Sequence, residues 1–172
     1  MGQVLEHSEA ALAFVGKLDD WASMAPGLPQ GLPTVSLPLH PQGSFDYSWD
    51  DLQHSAPIQD DPKPAANQLA TIIYTSGTTG TPKGVMHNFS NFGFAASNAI
   101  KLFGVGEDDR LISYLPLCHV AERMFVELAS IYAGQAIFFA ESLDTFLEDL
   151  KRARPTVMFG VPRIWTKFQM GC

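Results

Sequence analysis

Apolar and polar positions along the chain fall into blocks that predict strands and helices in alternation. Residues 11–15 form a short apolar run that stops at Gly16, and residues 34–37 form a second; both have the length of buried strands. Between residues 38 and 67, Pro, Asp, Gln and Ser dominate and the pattern dissolves into surface loop, with Ser48 placed to cap a brief helix through Asp51. Residues 60–64 predict an extended connector, because a residue that precedes proline avoids helical angles. Residues 69–74 then predict a strand, β-branched at Thr71, Ile72 and Ile73, and after a Gly/Thr-rich loop residues 85–87 resume an extended path.

Three amphipathic helices follow. In the first, Phe92, Ala95, Ala96, Ala99 and Phe103 share a face; in the second, Ala121, Met124, Phe125, Leu128, Ile131 and Tyr132 do, with Gly134 as the C-cap. In the third, Leu143, Phe146, Leu147 and Leu150 line up, with Asp144, Glu148 and Asp149 on the outside. Strands are predicted between them at residues 111–114 and 136–139. Another at 157–159 precedes a last short helix opened by Pro162. Alternation of this kind predicts an α/β protein with a largely parallel sheet flanked by helices.

Composition narrows the function classes. With 172 residues, 46% apolar and 17% charged, the chain has the make-up of a soluble globular protein. Its net charge of −7 argues against nucleic-acid binding, which needs basic patches. The one compact basic group, Lys151, Arg152 and Arg154, lies at a predicted helix end, where cations complement the dipole. Two cysteines, Cys118 and Cys172, form no disulfide framework, which fits a cytoplasmic protein. No apolar run approaches the ~20 residues that span a bilayer, so any membrane contact is expected to be peripheral. The aspartate pairs at 19/20, 50/51, 60/61 and 108/109 read as turn and capping residues. Neither they nor the five histidines have metal-ligand spacing.

The chemistry concentrates in Tyr74-Thr75-Ser76-Gly77-Thr78-Thr79-Gly80-Thr81-Pro82-Lys83-Gly84-Val85. Directly after a strand come three glycines, five hydroxyl side chains and one lysine. Glycines let backbone N–H groups close on an anion, hydroxyls add rotatable donors, and lysine adds a mobile charge suited to phosphate oxygens. A Walker A loop is excluded, because Lys83 stands between Pro82 and Gly84 and no Ser or Thr follows it. A kinase glycine loop fails on spacing.

This segment resembles the phosphate-binding signature of the adenylate-forming superfamily, which includes acyl-CoA synthetases, peptide-synthetase adenylation domains and luciferases. Leu115-Pro116-Leu117-Cys118-His119-Val120-Ala121-Glu122-Arg123 resembles the family's next motif, whose histidine lies between acyl and nucleotide sites. Residues 155–165, with Val161-Pro162-Arg163-Ile164-Trp165, resemble the strand and turn on the acyl-pocket wall. These forms look most like the long-chain fatty-acid branch, and residues 5–9 and 14–17 fit it more loosely. The resemblance implies an internal part of the family's N-terminal domain, with residues 1–109 in its first lobe and 110–172 opening the second.

It also implies a reaction in which a carboxylate attacks the α-phosphate of ATP, pyrophosphate leaves, and CoA captures the acyl-adenylate. The acid is already ionised at neutral pH, so the step needs stabilisation of charge on pyrophosphate rather than a general base. On this basis Thr75, Ser76, Gly77, Thr78, Thr79, Gly80, Lys83 and Gly84 are the expected phosphate-binding residues, and His119 the residue that gates or orients the acyl carboxylate. A lone histidine beside a helix start has an equally good structural reading. A Cys118 nucleophile paired with His119 is disfavoured, since adjacent side chains seldom face one another. Glu122 and Arg123 read as a helix-surface pair. Phe89, Phe92, Phe94 and Phe103 read first as core, and second as the lining of a fatty-acyl tunnel.

The implied cofactors are ATP, Mg2+ and CoA, with fatty acid as the substrate. The family's Tyr-Gly-x-Thr-Glu element, whose glutamate holds magnesium, is absent: none of the four tyrosines precedes a glycine. The ribose-gripping aspartate, the hinge and the C-terminal catalytic lysine are absent too. The expectation is therefore a ligase fragment, inactive by itself and prone to self-associate through uncovered edges. The alternative is a natural short protein that binds nucleotide or a partner without catalysis.

Overall fold

A computed structural model of the chain describes residues 1–75 and 80–170. They group into two compact units, Met1–Lys63 with Tyr74–Val85, and Pro64–Ile73 with the chain from Met86 onward. The chain is mixed α/β with parallel strand pairing and flanking helices, as its alternating pattern predicts.

The first unit contains α1 (Gly2–His7), β1 (Ala13–Val15), α2 (Trp21–Met24) running into a 3-10 turn, β2 (Thr34–Ser36), β3 (Tyr47–Ser48) and α3 (Trp49–Gln53). Strands β1, β2 and β3 form a parallel sheet in that order, with Phe14 opposite Val35 and Val35 opposite Tyr47. Every residue of the central strand β2 is buried, the pattern of a strand covered on both faces. The carboxylate of Asp46 fixes its start by accepting from both the backbone N–H and the hydroxyl of Thr34, each at 2.8 Å. Ser48 caps α3 as expected, accepting from the Asp51 N–H at 3.1 Å. Three elements escaped the sequence pattern: α1, α2 and β3. Each is six residues or fewer, too short to repeat an apolar period.

Strands β4 (Leu69–Thr75) and β5 (Lys83–Asn88) pair as a two-stranded sheet. Beyond them the second unit holds α4 (Phe89–Phe103), β6 (Arg110–Ser113), a π-helix (Glu122–Leu128) that continues as α5 (Ala129–Ala133), β7 (Ala136–Phe139), α6 (Phe146–Ala153) and α7 (Pro162–Met170). β6 and β7 run parallel, with Leu111 opposite Ile137 and Ile112 opposite Phe138. Asn88 and Asn91 form a reciprocal capping box at the start of α4. Gly104 ends that helix in the left-handed conformation, at φ 62°. The unit's core gathers Ile112, Phe146, Ala153 and Ile164, with Tyr114, Leu150, Met158 and Phe168 packed around them.

Four expectations are corrected here. The second amphipathic stretch is a π-helix over Glu122–Leu128 rather than an α-helix throughout, since apolar spacing alone does not separate the two. Ile131 and Tyr132, assigned to its buried face, are exposed. Residues 157–159 form no strand; Thr156 and Val157 donate their N–H groups to the Arg110 carbonyl, and the Thr156 hydroxyl accepts from Arg110 N–H, so this segment is tied to β6 without a ladder. Leu143 lies outside α6, whose N-cap is Thr145. No helix among the described residues is long and apolar enough to cross a membrane.

Candidate functional site

In the chain, β4 and β5 flank the phosphate-loop segment. Within the first unit Thr75 ends β4 and is exposed, and Lys83 opens β5, also exposed. Ser76, Gly77, Thr78 and Thr79 lie outside the described residues. Gly80 has φ +76°, with open space where a Cβ would sit, so the position needs glycine for its backbone angle rather than for room. Gly84 is half-buried one residue beyond Lys83. Just before the loop, within the first unit, the Tyr74 hydroxyl lies 2.7 Å from Nδ1 of His7, with the two rings edge-on.

His119 belongs to the second unit and sits in a tight turn between β6 and the π-helix. Its N–H donates to the Pro116 carbonyl at 2.8 Å, and its own carbonyl accepts from Glu122 N–H at 3.0 Å. The Ala121 N–H donates to Nδ1 of the imidazole at 3.2 Å. A nitrogen that accepts carries no hydrogen, so in the neutral ring the hydrogen is on Nε2. The ring is thus oriented from within its own turn.

The carboxylate of Glu122 anchors this turn. Only 3% exposed, it accepts from the Ser113 hydroxyl at the end of β6 and from the Leu115 N–H at 3.3 Å. Burial pushes its carboxyl above the ordinary glutamate range; the hydrogen bonds from Ser113, Leu115 and Tyr114 and the neighbouring His119 act the other way and do not offset it. The reading of Glu122 and Arg123 as a surface pair is therefore wrong. Arg123 instead pairs with Glu127 at 2.6 Å and donates to the Thr71 hydroxyl. The apolar face read from the sequence did not include Glu122, which the structure buries together with Val126 and Ala129.

Beside His119 runs an apolar groove of about 610 Å3, lined by Ala99 and Phe103 of α4, by Met124 and Phe125 of the π-helix, and by Phe159. Phe125 and Phe159 stack with centroids 4.8 Å apart. Tyr114 holds this wall in place: its hydroxyl donates to the Phe159 carbonyl at 3.1 Å and accepts from Val161 N–H at 3.2 Å. Gly160 lies between them, and a Cβ there would come within 2.5 Å of the Trp165 ring. Of the four phenylalanines read first as core, only Phe92 is buried, whereas Phe89, Phe94 and Phe103 are exposed.

Asp109 caps its own turn, accepting from Gly106 N–H and from the Thr156 hydroxyl; that hydroxyl bond above all lowers its carboxyl below the usual range. Asp149 is lowered likewise, first by the Thr145 hydroxyl, and pairs with Arg152. Among the described residues no group of three or more His, Cys, Asp or Glu side chains converges.

The fold and these motifs together define the class. The AMP-binding enzyme family model matches residues 1–170. The chain belongs to the AMP-binding enzyme family. It is 41% identical over 147 residues to a long-chain-fatty-acid–CoA ligase of Rattus norvegicus, a match that covers 77% of this chain and 22% of the relative. The chain thus spans about a fifth of the length of the curated relatives it matches. Among solved structures, an anthranilate CoA ligase in complex with anthranoyl-AMP superimposes with a TM-score of 0.77 at 21% identity, covering 92% of this chain and 32% of that one. ATP-bound MatB from Rhodopseudomonas palustris gives a TM-score of 0.76 at 24% identity, over 96% and 32%. These last two likenesses establish the fold.

Proposed function

We propose that this chain forms the phosphate-gripping loop and part of the acyl wall of an ATP-dependent fatty acid:CoA ligase. Residues 1–109 then belong to the first lobe of its large domain, and 110–172 open the second. The observation that carries the reading is the Gly/Thr/Lys segment held between β4 and β5, with Gly80 left-handed and Lys83 exposed at the strand's start.

In the first half-reaction a fatty-acid carboxylate oxygen bonds to the α-phosphorus of ATP. The bond to the β-phosphate bridging oxygen breaks, and pyrophosphate leaves with that electron pair. Thr75, Ser76, Gly77, Thr78, Thr79, Gly80, Lys83 and Gly84 surround the β- and γ-phosphates, where amides, hydroxyls and one ammonium neutralise the charge that develops. His119 presents its Nε2–H to the acyl carboxylate, and the alkyl chain lies in the apolar groove by Phe125 and Phe159. In the second half-reaction the CoA sulfur attacks the acyl carbon and AMP departs. The 172-residue chain alone turns over no acid, because no Tyr-Gly pair, and so no Tyr-Gly-x-Thr-Glu element to hold magnesium, occurs in its sequence.

The groove makes the substrate class testable in a catalytically competent ligase bearing this sequence. Acid-dependent ATP–pyrophosphate exchange is expected with palmitate and oleate but not with butyrate or benzoate. Ala99→Trp, which fills the groove, is expected to lower exchange with palmitate at least about tenfold, the loss of roughly 1.4 kcal/mol of binding. Equal exchange with benzoate and palmitate would rule out the long-chain reading.

A further inference from the structure

A buried carboxylate is costly unless hydrogen bonds compensate it; Glu122 has such bonds, and the phosphate and acyl roles above leave them without a use. We propose that Glu122 is the positioning residue for His119. It sets the imidazole by closing the neck of the turn that carries it; what that imidazole then does rests on the ligase reading.

The geometry is a closed ring of bonds. Residues 113 to 122 leave the end of β6 and return to it, and the Glu122 side chain reaches back across the neck to the Ser113 hydroxyl and the Leu115 N–H. Inside the ring, His119 N–H is tied to the Pro116 carbonyl, and Glu122 N–H to the His119 carbonyl. The Ala121 N–H then points at Nδ1. Backbone and side chain of Glu122 therefore grip both ends of one turn, and His119 is the half-buried ring held within it. The element that supplies Glu122 is a seven-residue π-helix, a rare geometry that is frequent at functional sites. Among the described residues the polar groups that act on Glu122 are Ser113, Tyr114 N–H, Leu115 N–H and His119.

Loss of the carboxylate should release the neck first and the ring orientation with it. Glutamine should restore both, since its amide oxygen can accept from Leu115 N–H while its NH2 donates to the Ser113 oxygen. The readout is 15N NMR of the 172-residue chain with labelled histidine, with amide exchange at Leu115 as the companion measurement. Neither needs acid or nucleotide, so the result stands apart from success or failure of the ligase assays. The wild type is expected to show His119 as the Nε2–H tautomer, with a protected Leu115 amide. Glu122→Ala is expected to average the two ring nitrogens and to speed Leu115 exchange by about tenfold or more, as local opening does; Glu122→Gln keeps the wild-type pattern. If Glu122→Ala does not fold, Ser113→Ala takes its place, and it is expected to speed Leu115 exchange with a smaller change at the ring. A wild-type chain without the Nε2–H signature overturns the proposal. So does a folded Glu122→Ala, or its Ser113→Ala substitute, with ring and amide unchanged, and so does a folded Glu122→Gln with averaged ring nitrogens.

Discussion

Glu122 and three aspartates pull the pH dependence of stability in opposite directions. Asp46, Asp109 and Asp149 are held below the usual 3.8, each chiefly by a threonine hydroxyl. Their contribution is complete above 3.8 and is lost as pH falls through their folded values. Glu122 is raised above 4.5 by burial, so the folded state binds its proton more tightly. Its contribution is complete below 4.5 and is lost as pH rises through the folded value. Thermal melts of wild type and Glu122→Gln across this range should therefore differ in slope only above pH 4.5, where the wild type declines and the variant does not. Superimposable slopes there would contradict the assignment. Truncation is a separate matter: Glu122→Ala strands the Ser113 hydroxyl and the Leu115 N–H, each left unpaired at about 1–3 kcal/mol, and a urea titration should register that loss. At this scale the sequence was legible where a residue type has one use. Gly80 was read as a glycine that lets backbone N–H groups close on an anion; the structure adds a left-handed φ of 76°, with open space where a Cβ would sit. Glu122 was misread because a glutamate beside an arginine usually faces water, and only the neck of the turn brings its partners to it.

Helix ends carry the next predictions. Asn88 accepts from Asn91 N–H at 2.8 Å in a box that starts α4. Asn88→Ala should cost about 1 kcal/mol in equilibrium unfolding. Gly134 closes α5 at φ 74°, and a Cβ there meets only Glu107 at 3.5 Å. Gly134→Ala should thus cost about 1–2 kcal/mol through backbone strain rather than a clash, a loss that Gly134→Asn should partly recover. Gly134 was legible as a cap because glycine after an apolar period has few other reasons to be there. The strand ends were legible to within one or two residues. The π-helix was not, since Met124, Phe125 and Leu128 satisfy either ladder. Residues 157–159 looked like a strand because three apolar residues follow a helix. Their backbone instead bonds to Arg110 and, around Phe159 and Val161, to the Tyr114 hydroxyl, which only the fold brings near.

At the scale of the whole chain, the family was legible from one loop and two shorter motifs, because glycines, hydroxyls and a lysine in that order have a chemistry that linkers lack. How far the apolar faces are covered was not legible: the period along α4 marks Phe103 as core, yet Leu102 is 78% and Phe103 61% exposed, and Phe94 of the same helix is exposed too. A face of that kind predicts association, so sedimentation velocity should show the 172-residue chain growing in mass with concentration, and Phe94→Ser with Leu102→Ser should suppress it. The role proposed for Lys83 and its loop is to stabilise departing pyrophosphate. The direct test is palmitate-dependent ATP–pyrophosphate exchange in a competent ligase bearing this sequence, wild type against Lys83→Ala. A fall of roughly 100-fold or more, with the fold intact by circular dichroism, is predicted from the usual worth of one transition-state donor. Undiminished exchange would rule out that role for Lys83.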